Sequence, residues 1–238
     1  MGQPIKAILF DKDGTLFDFE ATWARVVEDV LDLLTPDPEL RLALAGQGGY
    51  NPATRRFRPG AALVAATTSE IAELWAPSLP DRSVAEIEDI ANRMGEAASQ
   101  DGALVPACPD LPGLLGDLRQ WGYRLGVATH DAERSTKAQL QSVGALGLFD
   151  FIAGYDSGHG FKPGPGMLLA FAAASGVAPA QVAMVGDSTG DLAMVGNAGG
   201  GLAIGVLTGP AEEADLAPYS DHVLASIADL PNLLGHAS

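Results

Sequence analysis

The chain is predicted to fold as a doubly wound α/β core, a parallel sheet with helices on both faces, carrying a small helical insertion near its start. Three observations predict it. The apolar run Ile5 to Phe10 breaks off abruptly in Asp11-Lys12-Asp13-Gly14-Thr15, the pattern of a buried parallel strand followed by a polar loop. From about Leu111 onward, amphipathic segments alternate with short apolar runs, as in repeated βα units. Between these two regions, up to about Ser99, apolar residues recur only at helical spacing.

Taken in order, the elements follow from periodicity and punctuation. Trp23, Val26, Val27, Val30, Leu31 and Leu34 recur every three or four residues and predict a helix from Ala21 to Leu34, which Pro36 and Pro38 end. Helical patterns over Ala61 to Trp75 and Val84 to Ala98, separated by Gly, Pro and Asn, complete an all-helical insertion. The second half then reads as helix Leu111 to Trp121, strand Tyr123 to Thr129, helix Ala132 to Val143 and strand Phe149 to Ala153. Helix Pro165 to Ser175, strand Val182 to Gly186, helix Asp191 to Ala198 and strand Leu202 to Val206 follow. Residues 1–16 and 100–238 are therefore expected to form the core and residues 17–99 the insertion.

Composition narrows the partners. With 238 residues, 47% hydrophobic and 18% charged, the chain is long enough to bury a full core, and no apolar run approaches the roughly 20 residues of a membrane span. The start Met1-Gly2-Gln3-Pro4-Ile5-Lys6 lacks the features of a secretory signal, so a cytoplasmic location is expected, without a membrane partner. Cys108 is the single cysteine, which excludes an intrachain disulfide and reads as a small buried hydrophobe. A formal charge of −16 repels a nucleic-acid backbone. A small anionic substrate meets the same repulsion, so its site needs a cation or placed basic side chains.

Four polar groups each follow a predicted strand: Asp11 and Asp13, Thr129 and His130, Lys162, and Asp187 with Asp191. A doubly wound sheet gathers them at one edge. Each aspartate alone reads as readily as a helix cap or turn residue. Together, uncompensated, they would repel, so a cation is expected among them, and Mg2+ suits hard oxygen ligands that include one or two carboxylates. The spacing of Asp11 and Asp13 puts both side chains on one side of extended backbone, and Gly14 permits the sharp turn that follows.

The order Asp11-Lys12-Asp13-Gly14-Thr15 straight after an apolar strand resembles the signature of the haloacid dehalogenase superfamily. Thr129 ending the next core strand, Lys162 before Pro163, and Gly186-Asp187-Ser188-Thr189-Gly190-Asp191 agree with it. The resemblance covers nearly the whole chain and implies a Mg2+-dependent phosphatase of small phosphorylated metabolites. It casts Asp11 as nucleophile and Asp13 as general acid and base, with Gly14, Thr129 and Lys162 around the phosphoryl group. Asp187 becomes a metal ligand, with Asp191 beside it or orienting it, and Asp11 and the backbone carbonyl of Asp13 complete the set. The insertion becomes a cap of the kind found in phosphoglycolate phosphatases and β-phosphoglucomutases.

Family comparison also orders the alternatives. Dehalogenases lack the second aspartate, and phosphonate-cleaving relatives need a cap lysine, whereas residues 17–99 contain none. A sugar-phosphate mutase of the β-phosphoglucomutase type stands as the alternative. A phospho-receiver or non-enzymatic binding module is disfavoured by the insertion and by the filled catalytic positions. The closing segments Thr208-Gly209-Pro210 and Asp221-His222-Val223-Leu224 resemble the phosphoglycolate phosphatases more than the mutases. His130 stands where relatives often carry Asn, and reads equally as substrate contact or loop residue; His159 carries a weaker signal. Arg55, Arg56 and Arg58 form the densest basic patch, either a solvated face or a grip on a carboxylate or second phosphate of the substrate.

Overall fold

In the computed structural model, which describes residues 3–98 and 104–236, six strands form one parallel sheet. They are β1 (Ala7–Phe10), β4 (Arg124–Ala128), β5 (Phe151–Ala153), β6 (Val182–Gly186), β7 (Leu202–Val206) and β8 (His222–Leu224), in the order β5-β4-β1-β6-β7-β8. β1 lies in the interior, with Phe10 level with Val127 on one side and Val185 on the other. All four of its residues are fully buried, because both sheet faces are covered. Ile8 and Phe10 pack into one apolar cluster with α6 (Leu111–Gln120) and α7 (Glu133–Ser142). Ala7 and Leu9 pack into another with α8 (Gly166–Ser175) and α9 (Thr189–Ala198). The alternation along one strand thus separates two cores.

A third apolar cluster belongs to the insertion. It contains α1 (Phe19–Leu34), α2 (Pro38–Gly48), α3 (Ala62–Ala65), α4 (Thr68–Trp75) and α5 (Val84–Ala98). Trp75 is buried at its centre and its indole N–H donates to the Leu44 carbonyl at 3.0 Å. Truncating a buried Trp to Ala typically costs about 3–5 kcal/mol, so this residue anchors the cap. The expected boundary at residues 99 and 100 lies outside the described residues.

Three sequence expectations differ from the structure. The insertion is not all helical, because β2 (Tyr50–Asn51) and β3 (Arg56–Phe57) form an antiparallel hairpin. Its strands have two residues each, too short for any periodicity, and packing of Phe57 edge-on against Phe19 at 5.0 Å holds them down. The stretch Ala61 to Trp75 is two helices: α3 stops at Ala66, and a capping box between Thr67 and Glu70 starts α4. Finally, β8 extends the sheet at its edge beside β7, where three residues give too little pattern to announce a strand. Short helices α10 (Glu213–Leu216) and α11 (Leu230–Leu233) complete the core. Among the described residues, no helix is long and apolar enough to cross a membrane.

Candidate active site

Parallel strands direct their carboxyl ends to one edge, and that edge carries the polar groups. Asp11 follows β1 and its N–H donates to the Val185 carbonyl at 2.8 Å; Thr129 follows β4 and donates to the Ala153 carbonyl at 2.9 Å. Asp187 follows β6, Asp191 sits in the first turn of α9, and Lys162 arrives from the loop after β5. All five are buried or nearly so.

Lys162 Nζ lies 2.5 Å from Asp11 Oδ1 and 2.6 Å from Asp191 Oδ1. Burial works against its charge, but the two carboxylates outweigh that, and the net effect raises its pKa. The carboxylates themselves crowd: oxygens of Asp11, Asp187 and Asp191 lie within 4.8 Å of one another. Burial, reinforced by the charges of Asp191 and Asp13 and opposed by Lys162, lifts Asp11 from 3.8 to about 7. Asp187 is also pushed well above the usual range, by burial and then by Asp11 and Asp191. Such a set holds protons or a cation. Asp191 is already engaged on both oxygens, since its Oδ2 accepts from the Ser188 N–H at 3.2 Å and hydroxyl at 2.5 Å. That arrangement caps α9 and aims Lys162.

Asp13 is held differently. Its Oδ1 accepts from Lys12 Nζ and from the Trp23 indole N–H, both at 2.6 Å, and Trp23 belongs to the insertion. Lys12 is fully buried, between Asp13 at 2.5 Å and Asp131 at 3.1 Å, with its ammonium 5.0 Å from the Trp23 ring. Burial raises the pKa of Asp13, Lys12 opposes the rise and Asp131 adds to it. Gly14 turns the chain at φ 83°, and a Cβ there would stand 2.3 Å from Asp187 Oδ2, so only glycine lets the first loop pack on Asp187. Thr208 ties the same loop down by donating to the Gly14 carbonyl at 2.6 Å.

A cavity of about 670 Å³ opens over these groups and is lined by Asp11, Asp13, Thr129, His130, Lys162, Asp187 and Asp191 on the core side. The structure therefore brings together the expected catalytic side chains. Gly14 supports Asp187 from behind and is not among the lining residues. His130 spans the two parts of the molecule: its Nδ1 is 2.8 Å from the Ala65 carbonyl, and the Lys162 N–H donates to its Nε2 at 3.1 Å. A carbonyl only accepts, so Nδ1 carries the hydrogen and the ring is neutral. Burial and then the Lys162 charge lower its pKa accordingly.

Arg55, Arg56 and Arg58 are not brought to this cavity. Arg55 pairs with Glu28 at 3.1 Å, Arg56 pairs with Glu20, and Arg56 and Arg58 line a separate shallow depression around the hairpin. Their clustering reflects the hairpin, whose exposed side chains need solvent and partners. His159 packs against Phe151 with ring centres 5.8 Å apart, and Cys108 is a buried free thiol; neither lines the cavity. Sequence reading missed Lys12, Trp23, Asp131 and Thr208. A lysine wedged between Asp11 and Asp13 was the available signal for the first; the others are contacts across distant elements.

The donor set fits a hard divalent cation. Asp11 and Asp187 offer buried carboxylate oxygens close together, and their raised pKa values express the repulsion that a cation would relieve.

Fold and site together define an α/β enzyme with a largely helical insertion and a buried cluster of aspartates around one lysine. Residues 5–199 match the family model of the haloacid dehalogenase-like hydrolases, and the chain belongs to that family. A phosphoglycolate phosphatase of Rhodospirillum rubrum is 31% identical over 191 residues, covering 76% of this chain and 70% of that protein. Among solved structures, a HAD phosphatase from Thermococcus onnurineus superposes with a TM-score of 0.71 at 23% identity, covering 98% of this chain and 99% of the other. A β-phosphoglucomutase from Clostridium difficile does so with a TM-score of 0.66 at 17% identity, covering 95% and 93%. At such identities these two show the shared fold.

Proposed function

We propose that this hydrolase is a Mg2+-dependent phosphomonoesterase that works through an aspartyl phosphate on Asp11 and acts on small phosphorylated metabolites. One observation carries the reading: Asp11 stands at the carboxyl end of β1, 2.5 Å from Lys162 and facing a cavity that Asp13 also lines. An Asp11 oxygen attacks phosphorus and the bond to the leaving oxygen breaks as Asp13 supplies its proton. Asp13 then takes a proton from water, which attacks phosphorus and returns Asp11 as a free carboxylate with release of inorganic phosphate. Lys162 and Thr129 donate to the phosphoryl oxygens, where charge builds. Asp11, Asp187 and the backbone carbonyl of Asp13 would hold Mg2+, with Asp191 in support through Lys162. The ion, when bound, neutralises the clustered carboxylates and the phosphoryl charge.

The R. rubrum relative is named a phosphoglycolate phosphatase, which supports hydrolysis over phosphoryl transfer between sugar positions. The test is Asp11→Asn, whose amide has nearly the same shape and is a poor nucleophile. Turnover of p-nitrophenyl phosphate should fall to below about one part in a thousand, with an unchanged circular dichroism spectrum. Acid-quenched wild-type protein incubated with labelled substrate should carry covalent phosphate, and the variant none. Comparable labelling of both would remove Asp11 from the role.

A further inference from the structure

The cavity above Asp11 has two chemically different halves. Among the described residues, every ionisable side chain that lines it, from Asp11 and Asp13 to Asp215 and Tyr219, comes from the core. Among the described residues that line it from the insertion there is no Asp, Glu, Lys, Arg or His. That half is built chiefly from apolar side chains, including Val27, Val30, Leu63, Val64, Ile71 and Trp75. Leu63, Val64 and Ile71 are half-buried and keep accessible surface.

The polar side chains of that half are few, Thr68 among them, and most are already engaged. The Trp23 indole donates to Asp13 and the Trp75 indole to the Leu44 carbonyl, and Asn92 bonds Tyr155. A carboxylate, second phosphate or sugar polyol placed against this wall would lose its hydration with hardly a partner in return. Burying a polar group without a partner is unfavourable, and burying a charge far more so. The basic patch cannot compensate, because Arg56 and Arg58 line a different depression and Arg55 pairs with Glu28. An apolar group gains free energy in proportion to the area it buries there. The volume, about 670 Å³, lies within the range of pockets that take medium-sized organic ligands.

We infer that the substrate is a phosphate monoester of an apolar alcohol or phenol, its phosphoryl group at Asp11 and its hydrocarbon body against Leu63, Val64 and Ile71. This rests on the phosphomonoesterase reading above and departs from the hydrophilic substrates named for its relatives. Recognition of the organic part is then by burial, and the charged chemistry is confined to the core edge.

Two measurements on the Mg2+-supplemented full chain test it. In the first, kcat/KM is compared for hexyl phosphate, naphthyl phosphate, methyl phosphate, phosphoglycolate and a sugar phosphate. The hexyl and naphthyl esters should exceed the hydrophilic pair by about ten-fold or more, and Leu63→Ser or Ile71→Ser should narrow the ratio of hexyl to methyl ester. In the second, calorimetry on Asp11→Asn compares hexylphosphonate with phosphonoacetate, which needs no turnover. The hexyl compound should bind more tightly and with the more negative heat-capacity change. Turnover that favours phosphoglycolate or the sugar phosphate, or phosphonoacetate binding at least as tightly, overturns the inference and leaves the phosphatase reading standing. Hydrolysis of none of the five esters overturns the phosphatase reading, and the phosphonate comparison then decides the preference of the cavity on its own.

Discussion

His130 Nδ1 lies 2.8 Å from the carbonyl of Ala65, so one imidazole ties the cap to the loop that carries Lys162. The ring is neutral, donates to the cap through Nδ1 and accepts the Lys162 N–H through Nε2. Cap position and lysine position are thereby linked through a single side chain.

Removal of that link has a predictable cost. Two hydrogen bonds at about 0.5–1.5 kcal/mol each make His130→Ala lose about five- to 150-fold in kcat/KM. Steady-state kinetics should show part of the loss in KM, because the cap closes less firmly. His130→Asn keeps a donor and an acceptor and should recover part of the activity. Unchanged kinetics for His130→Ala would leave the ring as an ordinary loop residue.

Asp13 is gripped by Lys12 and by Trp23 of the insertion, so in the proposed reaction its proton supply depends on how the insertion is seated. Asp13→Asn should impair an alkyl phosphate far more than p-nitrophenyl phosphate, whose leaving group needs no proton. Trp23→Phe removes one hydrogen bond to the carboxylate, worth about 1.5–3 kcal/mol. It should lower kcat for the alkyl ester by about ten- to 150-fold at most, with the same leaving-group bias. Equal losses for both esters would separate Asp13 from protonation.

Metal and pH should act against each other at Asp11 and Asp187. Burial raises Asp11 from 3.8 to about 7, so across that window the folded chain keeps a proton that the unfolded chain has released. The unfolded state then binds fewer protons, and stability falls as pH rises; Asp187 is shifted in the same direction. In EDTA, Tm should therefore drop between about pH 5 and about pH 7, with a shallower drop for Asp11→Asn. Added Mg2+ competes with those protons and should raise Tm more at about pH 8 than at about pH 6. Activity should vanish in excess EDTA and return with Mg2+ but not with Ca2+, whose longer, more numerous bonds can tie up the nucleophile. A Tm that rises across the window in EDTA would contradict the buried, protonated carboxylate.

The cap arginines should matter little. Arg55 and Arg56 form exposed pairs with Glu28 and Glu20, and such pairs contribute about 0–1 kcal/mol. Single Arg→Ala variants should stay within about two-fold of wild-type kcat/KM for every phosphate ester. A selective loss of ten-fold or more for an acidic substrate would reinstate them as a grip.

Much of the core was legible in the residue order. Strands β6 and β7 match their expected bounds, because buried parallel strands are continuous apolar runs whose ends are marked by charge or glycine. The clustering of Asp11, Asp13, Thr129, Lys162 and Asp187 was foreseeable for a related reason: in a doubly wound sheet, chain order and strand polarity dictate which loops share an edge. Three things were settled by packing across distant elements. The two-residue strands of the hairpin exist because Phe57 packs on Phe19, and no local pattern encodes a partner that far away. The arginines cluster in sequence yet face solvent, since the direction of a side chain depends on how the hairpin docks. The apolar roof over Asp11 follows from the fold of the cap, which turns one stripe of α1 and the α3–α4 bend toward the same space. Periodicity shows that a residue is buried; the surface that buries it is a property of the assembled chain.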